Sequence, residues 1–152
     1  MSKAGYVATG AVSALSAATA KTILTVLAPA QFGVDLRGFE LSLDGATSTA
    51  TPVFWELCSL DGTTAGTSTA GTVRQEFGRT ITAGFTTGSN FTAEPTVLTA
   101  LYSDYIPAFN GLVIRDFPFN GGPDSAVSQG FALRLTAPAA VNARASFRFE
   151  RC

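Results

Sequence analysis

Residues 131–150 alternate between apolar and polar side chains over two runs, and that alternation constrains the fold more than any other stretch of the chain. Phe131, Leu133 and Leu135 share one parity, as do Val141, Ala143, Ala145, Phe147 and Phe149. The opposite parity carries Arg134, Asn142, Arg144, Ser146, Arg148 and Glu150. A period of two gives each run one buried and one wet face, as in strands of an antiparallel sheet. Pro138 separates the runs. If they are direct neighbours with matched apolar faces, their loop has odd length, about three or five residues. The alternative is that the Pro138 segment crosses between two packed sheets.

The rest of the chain has the same texture. Residues 22–28 are apolar on both faces, with Leu24 and Val26 on one side and Ile23 and Leu27 on the other. That predicts a central strand under an arm, or a subunit interface. Along residues 34–43 the apolar parity slips at Arg37-Gly38, which predicts a β-bulge. Residues 52–60 form a third strand, and Asp44-Gly45 and Asp61-Gly62 supply turn chemistry. Residues 63–72 are wholly Thr, Ala, Gly and Ser, which predicts a flexible exposed loop. Residues 80–85, 97–106 and 112–117 read as further strands, and residues 118–130, rich in Gly and Pro, as a loop. About eight short strands without long helices predict an all-β fold, an antiparallel β-sandwich of jelly-roll type.

Lys3 precedes a small-residue tract, residues 5–20, that imitates a secretory signal ending Ala18-Thr19-Ala20. Only Val7, Val12 and Leu15 are large aliphatics there, and Gly5, Thr9, Gly10, Ser13 and Ser16 dilute it. We read residues 1–20 as an extended N-terminal arm, lying against a neighbouring subunit or a larger partner, and residues 21–152 as the sandwich.

Charged residues make up 14% of the chain and hydrophobic ones 46%, so little charge is available to cover the surface, and an assembly is one way to cover it. A net charge of −1 gives no basic footprint for nucleic acid and no polybasic membrane patch. Cys58 lies in an apolar strand and Cys152 ends the sequence; one possible bridge is not a disulfide framework.

The chemistry consists mostly of absences. Without histidine, the Ser-His and Cys-His systems and the usual zinc ligand are missing. The only lysines are Lys3 and Lys21. Glu56, Asp104 and Asp116 are carboxylates a glycosidase could pair, but solvated strand edges and turns account for them as well. No glycine-rich phosphate loop opens a helix. Trp55 reads as core before it reads as a sugar platform. We expect no enzyme, no cofactor and no metal. Tyr102, Tyr105, Phe109, Phe117 and Phe119 read as a satellite core under loops, or as a contact surface. Arg134, Arg144 and Arg148 either face solvent or pair with acids of a neighbouring subunit.

Four places carry a family resemblance. They are residues 20–24 (Ala-Lys-Thr-Ile-Leu) with Ala-Pro-Ala at 28–30, residues 43–45 (Leu-Asp-Gly) leading to Thr-Pro-Val at 51–53, residues 91–96 (Phe-Thr-Ala-Glu-Pro-Thr), and residues 135–144 with the closing Phe-Arg-Phe-Glu at 147–150. In these the chain resembles the head decoration (auxiliary, or cement) proteins of tailed bacteriophages. The resemblance implies a jelly-roll-like subunit that forms a homotrimer and sits on local threefold positions of the outer capsid surface. The major capsid protein would be its partner, and its role would be to clamp neighbouring capsid subunits of the virion against internal pressure. The candidate contact residues are Tyr6, Val7, Val12 and Leu15 of the arm, and Lys21 and Ile23 after it. Tyr102, Tyr105 and Phe109, in a stretch the resemblance does not reach, and the three arginines, taken from the strand parity, complete the set. Other classes compatible with the same composition are a carbohydrate-binding module, a secreted trimeric ligand of the tumour-necrosis-factor type, and a tail or baseplate component.

Overall fold

The two alternating runs form strands that lie in different sheets, so the Pro138 segment crosses between layers. The computed structural model describes residues 4–152. Its strands are β1 (Gly5–Thr9), β2 (Ser13–Leu15), β3 (Ala20–Leu27), β4 (Val34–Leu43), β5 (Val53–Asp61) and β6 (Thr67–Ala70). They continue as β7 (Val73–Phe77), β8 (Thr86–Ala93), β9 (Leu98–Ile106), β10 (Leu112–Asp116), β11 (Gln129–Thr136) and β12 (Val141–Arg151). A front sheet runs β10-β4-β12-β1-β7, with β2 also on β12, and a back sheet runs β6-β8-β3-β11-β5-β9. All named strand pairs are antiparallel. The long strands β3, β4 and β5 alternate between the two sheets, as do β9, β10, β11 and β12. The result is a sandwich wound in a jelly-roll-like manner.

The core lies between the layers. Phe39, Leu41, Phe147 and Phe149 face it from the front sheet, and Trp55, Leu57, Phe131, Leu133 and Leu135 from the back. Phe39 meets Trp55 edge-on across the gap, with ring centroids 5.4 Å apart. Each such side chain stabilises the fold by about 1.5–3 kcal/mol relative to exposure.

The parity slip in β4 is a bulge. Arg148 opposes Gly38 while the next residue, Phe149, opposes Leu36, so Arg37 is the extra residue. A Cβ on Gly38 would lie 2.7 Å from the Arg115 carbonyl oxygen, which explains the glycine there. β3 is central, between β8 and β11, and Ile23 is an extra residue between the Leu24–Leu133 and Thr22–Arg134 pairs, a bulge beside which both Ile23 and Leu24 join the core. Cys58, Leu60, Phe91 and Ala132 are buried outside the main core cluster.

Three expectations are corrected. Of the arm expected over residues 1–20, residues 1–3 lie outside the described residues, and residues 5–15 are not an arm for a neighbour: β1 lies between β12 and β7 of its own chain, and Tyr6 is 1% exposed. Small residues allow this close packing, since Gly5 lies under the Phe77 ring and Gly10 lies against Leu24. The Thr-rich tract is not wholly loop, because Gly62–Thr64 form a helical turn capped by Asp61 and β6 follows, paired with β8. Residues 80–85 lie outside any strand, which starts only at Thr86.

Candidate interaction surface

The outer face of the front sheet is built by register. One row carries Leu112, Ser42 and Arg144; the next carries Ile114, Glu40, Ser146 and Thr9. The third aligns Asp116, Gly38, Arg148, Val7 and Arg74. Arg148 reaches Asp116 and, at 3.9 Å, Glu40, while Arg37 lies 3.8 Å from Glu150. Arg144 is exposed and has no ion-pair partner among the described residues. Two shallow clefts cross this face, one of about 300 Å³ beside Phe77 and Arg148 and one of about 190 Å³ beside Leu112 and Arg144.

A cleft of about 410 Å³ opens at the end of the sandwich where β4 and β11 finish and β5 and β12 begin. Gly45, Thr47, Thr51, Val53, Pro138 and Val141 are among its lining residues, and no charged or aromatic side chain is. Beside it, the Asn142 backbone N–H and side-chain amide donate to the two Asp44 carboxylate oxygens, at 2.9 and 2.8 Å. These bonds stabilise the ionised form and hold the Asp44 pKa below its ordinary value.

Much of what carries the family resemblance meets at this end. Lys21 pairs with Leu135 and Ala20 with Thr136, Phe54 follows Val53 opposite Thr136, and Asp44 holds Asn142. Glu94 joins them by accepting the Thr22 backbone N–H at 2.8 Å. Residues 28–30 and 147–150 lie away from it, at the far end of β3 and along β12.

The expected contact residues do not form one patch. Tyr6, Leu15 and Ile23 are buried. The Tyr6 hydroxyl donates to the Ile81 carbonyl at 3.2 Å. Val7, Val12, Arg144 and Arg148 belong to the front sheet or its margin, and Val12 and Arg144 share a small cleft. Arg134 lies on the back sheet and pairs with Glu56 of its own chain at 2.8 Å. The arginines therefore occupy opposite outer faces, and Arg134 and Arg148 find their acids within the chain. Lys21 is half-buried.

The aromatic set is divided as well. Tyr102 packs on Phe117 under the Arg115 guanidinium, which lies 4.2 Å from the Tyr102 ring centroid. Tyr105 is exposed against Phe54, Phe109 is exposed in the loop before β10, and Phe119 lies under Arg37. The residues missed from sequence are Leu112 and Ile114, exposed at 60% and 57%. Their Leu-Val-Ile run signals a strand, and their position on the outer face of the front sheet exposes them, whereas Val113 between them packs towards the core.

Trp55 is buried on Phe39, so it offers no platform to a sugar. Among the described residues no three His, Cys, Asp or Glu side chains are grouped to hold a metal ion. Glu56 and Asp116, two of the carboxylates noted in the sequence, lie in opposite sheets and each pairs with an arginine. Burial pushes the Cys58 thiol up to about 11.

No family model matches the chain, and no curated protein matches it. Among solved structures it is similar to a chain of the T=1 particles derived from infectious bursal virus, at 13% identity and a TM-score of 0.27. The alignment covers 97% of this chain and 40% of that one. A score at that level carries no argument about shared fold or role.

Proposed function

We propose that this chain is a structural protein of a phage virion, a head decoration protein that binds the outer capsid surface as a homotrimer and clamps neighbouring major capsid subunits. One observation carries the reading: segments on which the family resemblance rests, distant in sequence, come together at one end of the sandwich, where those around Gly45, Thr51 and Pro138 line the neutral 410 Å³ cleft. A neutral cleft lined by small side chains suits contact with a protein surface, which needs close approach more than charge. Three such footprints on one trimer act together, so weak individual contacts suffice for tight overall binding.

The test is binding of the purified protein to expanded phage heads that lack it, read by co-sedimentation. Saturable binding supports the proposal; protein left in the supernatant at all concentrations refutes it. Pro138→Arg, which brings a bulky charge to the wall of the cleft, should weaken binding at least tenfold while leaving the thermal midpoint nearly unchanged.

A further inference from the structure

The end strands of the two sheets, β10 and β7 in front and β6 and β9 behind, resist pairing with another chain to different degrees. β6 has only four residues, all exposed. β7 carries Arg74 and Glu76. β9 is interrupted by a register shift at Leu101, since Leu57 opposes Tyr102 while Cys58 opposes Ala100, and it carries Asp104. β10 confines its charges, Arg115 and Asp116, to its C-terminal end. Its first three residues are Leu112, Val113 and Ile114, and Leu112 and Ile114 are the most exposed large aliphatics among the described residues.

Its backbone is available as well. Leu43 N–H donates to Gly111 and Phe117 N–H to Arg37, both at 2.9 Å, on either side of the β10–β4 ladder. With the alternation of an antiparallel pair, Val113 and Arg115 then bond to β4, and Leu112, Ile114 and Asp116 direct their N–H and C=O groups outward.

We propose that this edge pairs antiparallel with the same edge of a second copy, about a twofold axis at Val113. In that register Leu112 opposes the second copy's Ile114, and the reverse, so the exposed aliphatics cover one another twice. The two copies of Arg115 and of Asp116 fall at opposite ends, so no like charges meet. The other edges of a second copy fit less well: β7 would set Arg74 and Glu76 beside the aliphatics, β9 is kinked by its bulge, and β6 is polar. Five residues on each side bury less than the roughly 1,000 Å² of a stable interface, so the contact is weak in dilute protein and grows where copies are crowded. It does not rest on the capsid reading. On a shell surface it would join neighbouring copies.

The test uses Val113→Cys in a Cys152→Ser background. Val113 would be a non-hydrogen-bonded pair with its counterpart, at a Cα separation of about 4.5 Å that a disulfide spans. Under mild oxidation it should give covalent dimer at least tenfold faster than Ser103→Cys on the β9 edge at equal concentration. Adding Ile114→Lys should abolish that advantage. Equal rates for the two cysteines, or a rate indifferent to Ile114→Lys, would overturn the proposal. Sedimentation equilibrium gives a second reading without cysteines. The native protein should self-associate at millimolar concentration more than Ile114→Lys, which substitutes an exposed residue; identical association overturns the proposal. Head binding is measured separately, so failure of one reading leaves the other standing.

Discussion

Replacing Tyr6 by alanine tests whether the N-terminal segment belongs to the domain. Tyr6 is almost fully buried, packs edge-on against Phe85 at 5.6 Å and stacks on Phe149 at 6.1 Å, and donates a hydrogen bond to Ile81. Removing a buried ring costs about 3–5 kcal/mol, the lost transfer energy plus the cavity left behind. At about 2–4 °C per kcal/mol for a domain of this size, the thermal midpoint should fall by roughly 6–20 °C. Tyr6→Phe keeps the ring and loses only the hydrogen bond, about 0.5–1.5 kcal/mol, so its midpoint should fall by roughly 1–6 °C. Deleting residues 1–12 should prevent folding, because it leaves the β12 and β7 edges without the strand between them. The assay is thermal unfolding followed by far-ultraviolet circular dichroism. A Tyr6→Ala midpoint within about 2 °C of the native one, or a cooperatively folded deletion variant, would refute the reasoning.

Two further predictions concern titratable groups. Cys58 is buried with its pKa raised to about 11, and Cys152 is exposed with its own pKa raised, first by partial desolvation and then by Asp124 and Asp35. At pH 8 a thiol reagent should therefore modify Cys152, slowly, and reach Cys58 only in denaturant; two thiols reacting in the native state would contradict the burial. The lowered pKa of Asp44 means that its contribution to stability is present above the ordinary carboxylate range and is lost as pH falls through the folded-state value. Carboxyl NMR should place its midpoint below 3.8, and Asn142→Ala should bring it back up; an unchanged midpoint in that variant would exclude the side-chain bond as a cause.

The legible parts of the fold were those where one side chain reports its own environment. The alternation in β11 and β12 identified inward residues, and the slip at Arg37-Gly38 located the bulge to the residue. Alternation reports inside against outside but not which sheet a strand joins, so Arg134, Arg144 and Arg148 looked like one face and lie on two. β1 was hidden because its inward residues are Tyr6 and Ala8, a large and a small side chain that show no apolar period. β6 and β7 take their order from neighbouring strands and carry almost no apolar signal of their own. Phe85, buried against Tyr6 and Phe149, made residues 80–85 resemble a strand although it lies one residue before β8. The exposed pair Leu112 and Ile114 could not be told from core residues, because a run of three aliphatics without alternation does not say which face looks outward.

The central claim is that this chain decorates a capsid, and the copy number of the protein in purified phage heads, relative to the major capsid protein, tests it most directly. Trimers on every local threefold position place about one copy beside each capsid subunit, by symmetry. Quantitative mass spectrometry of heads freed of tails should give a ratio near one, with loss of the protein leaving the heads intact but easier to rupture. Absence of the protein from heads, or its presence only in the tail fraction, would contradict the account.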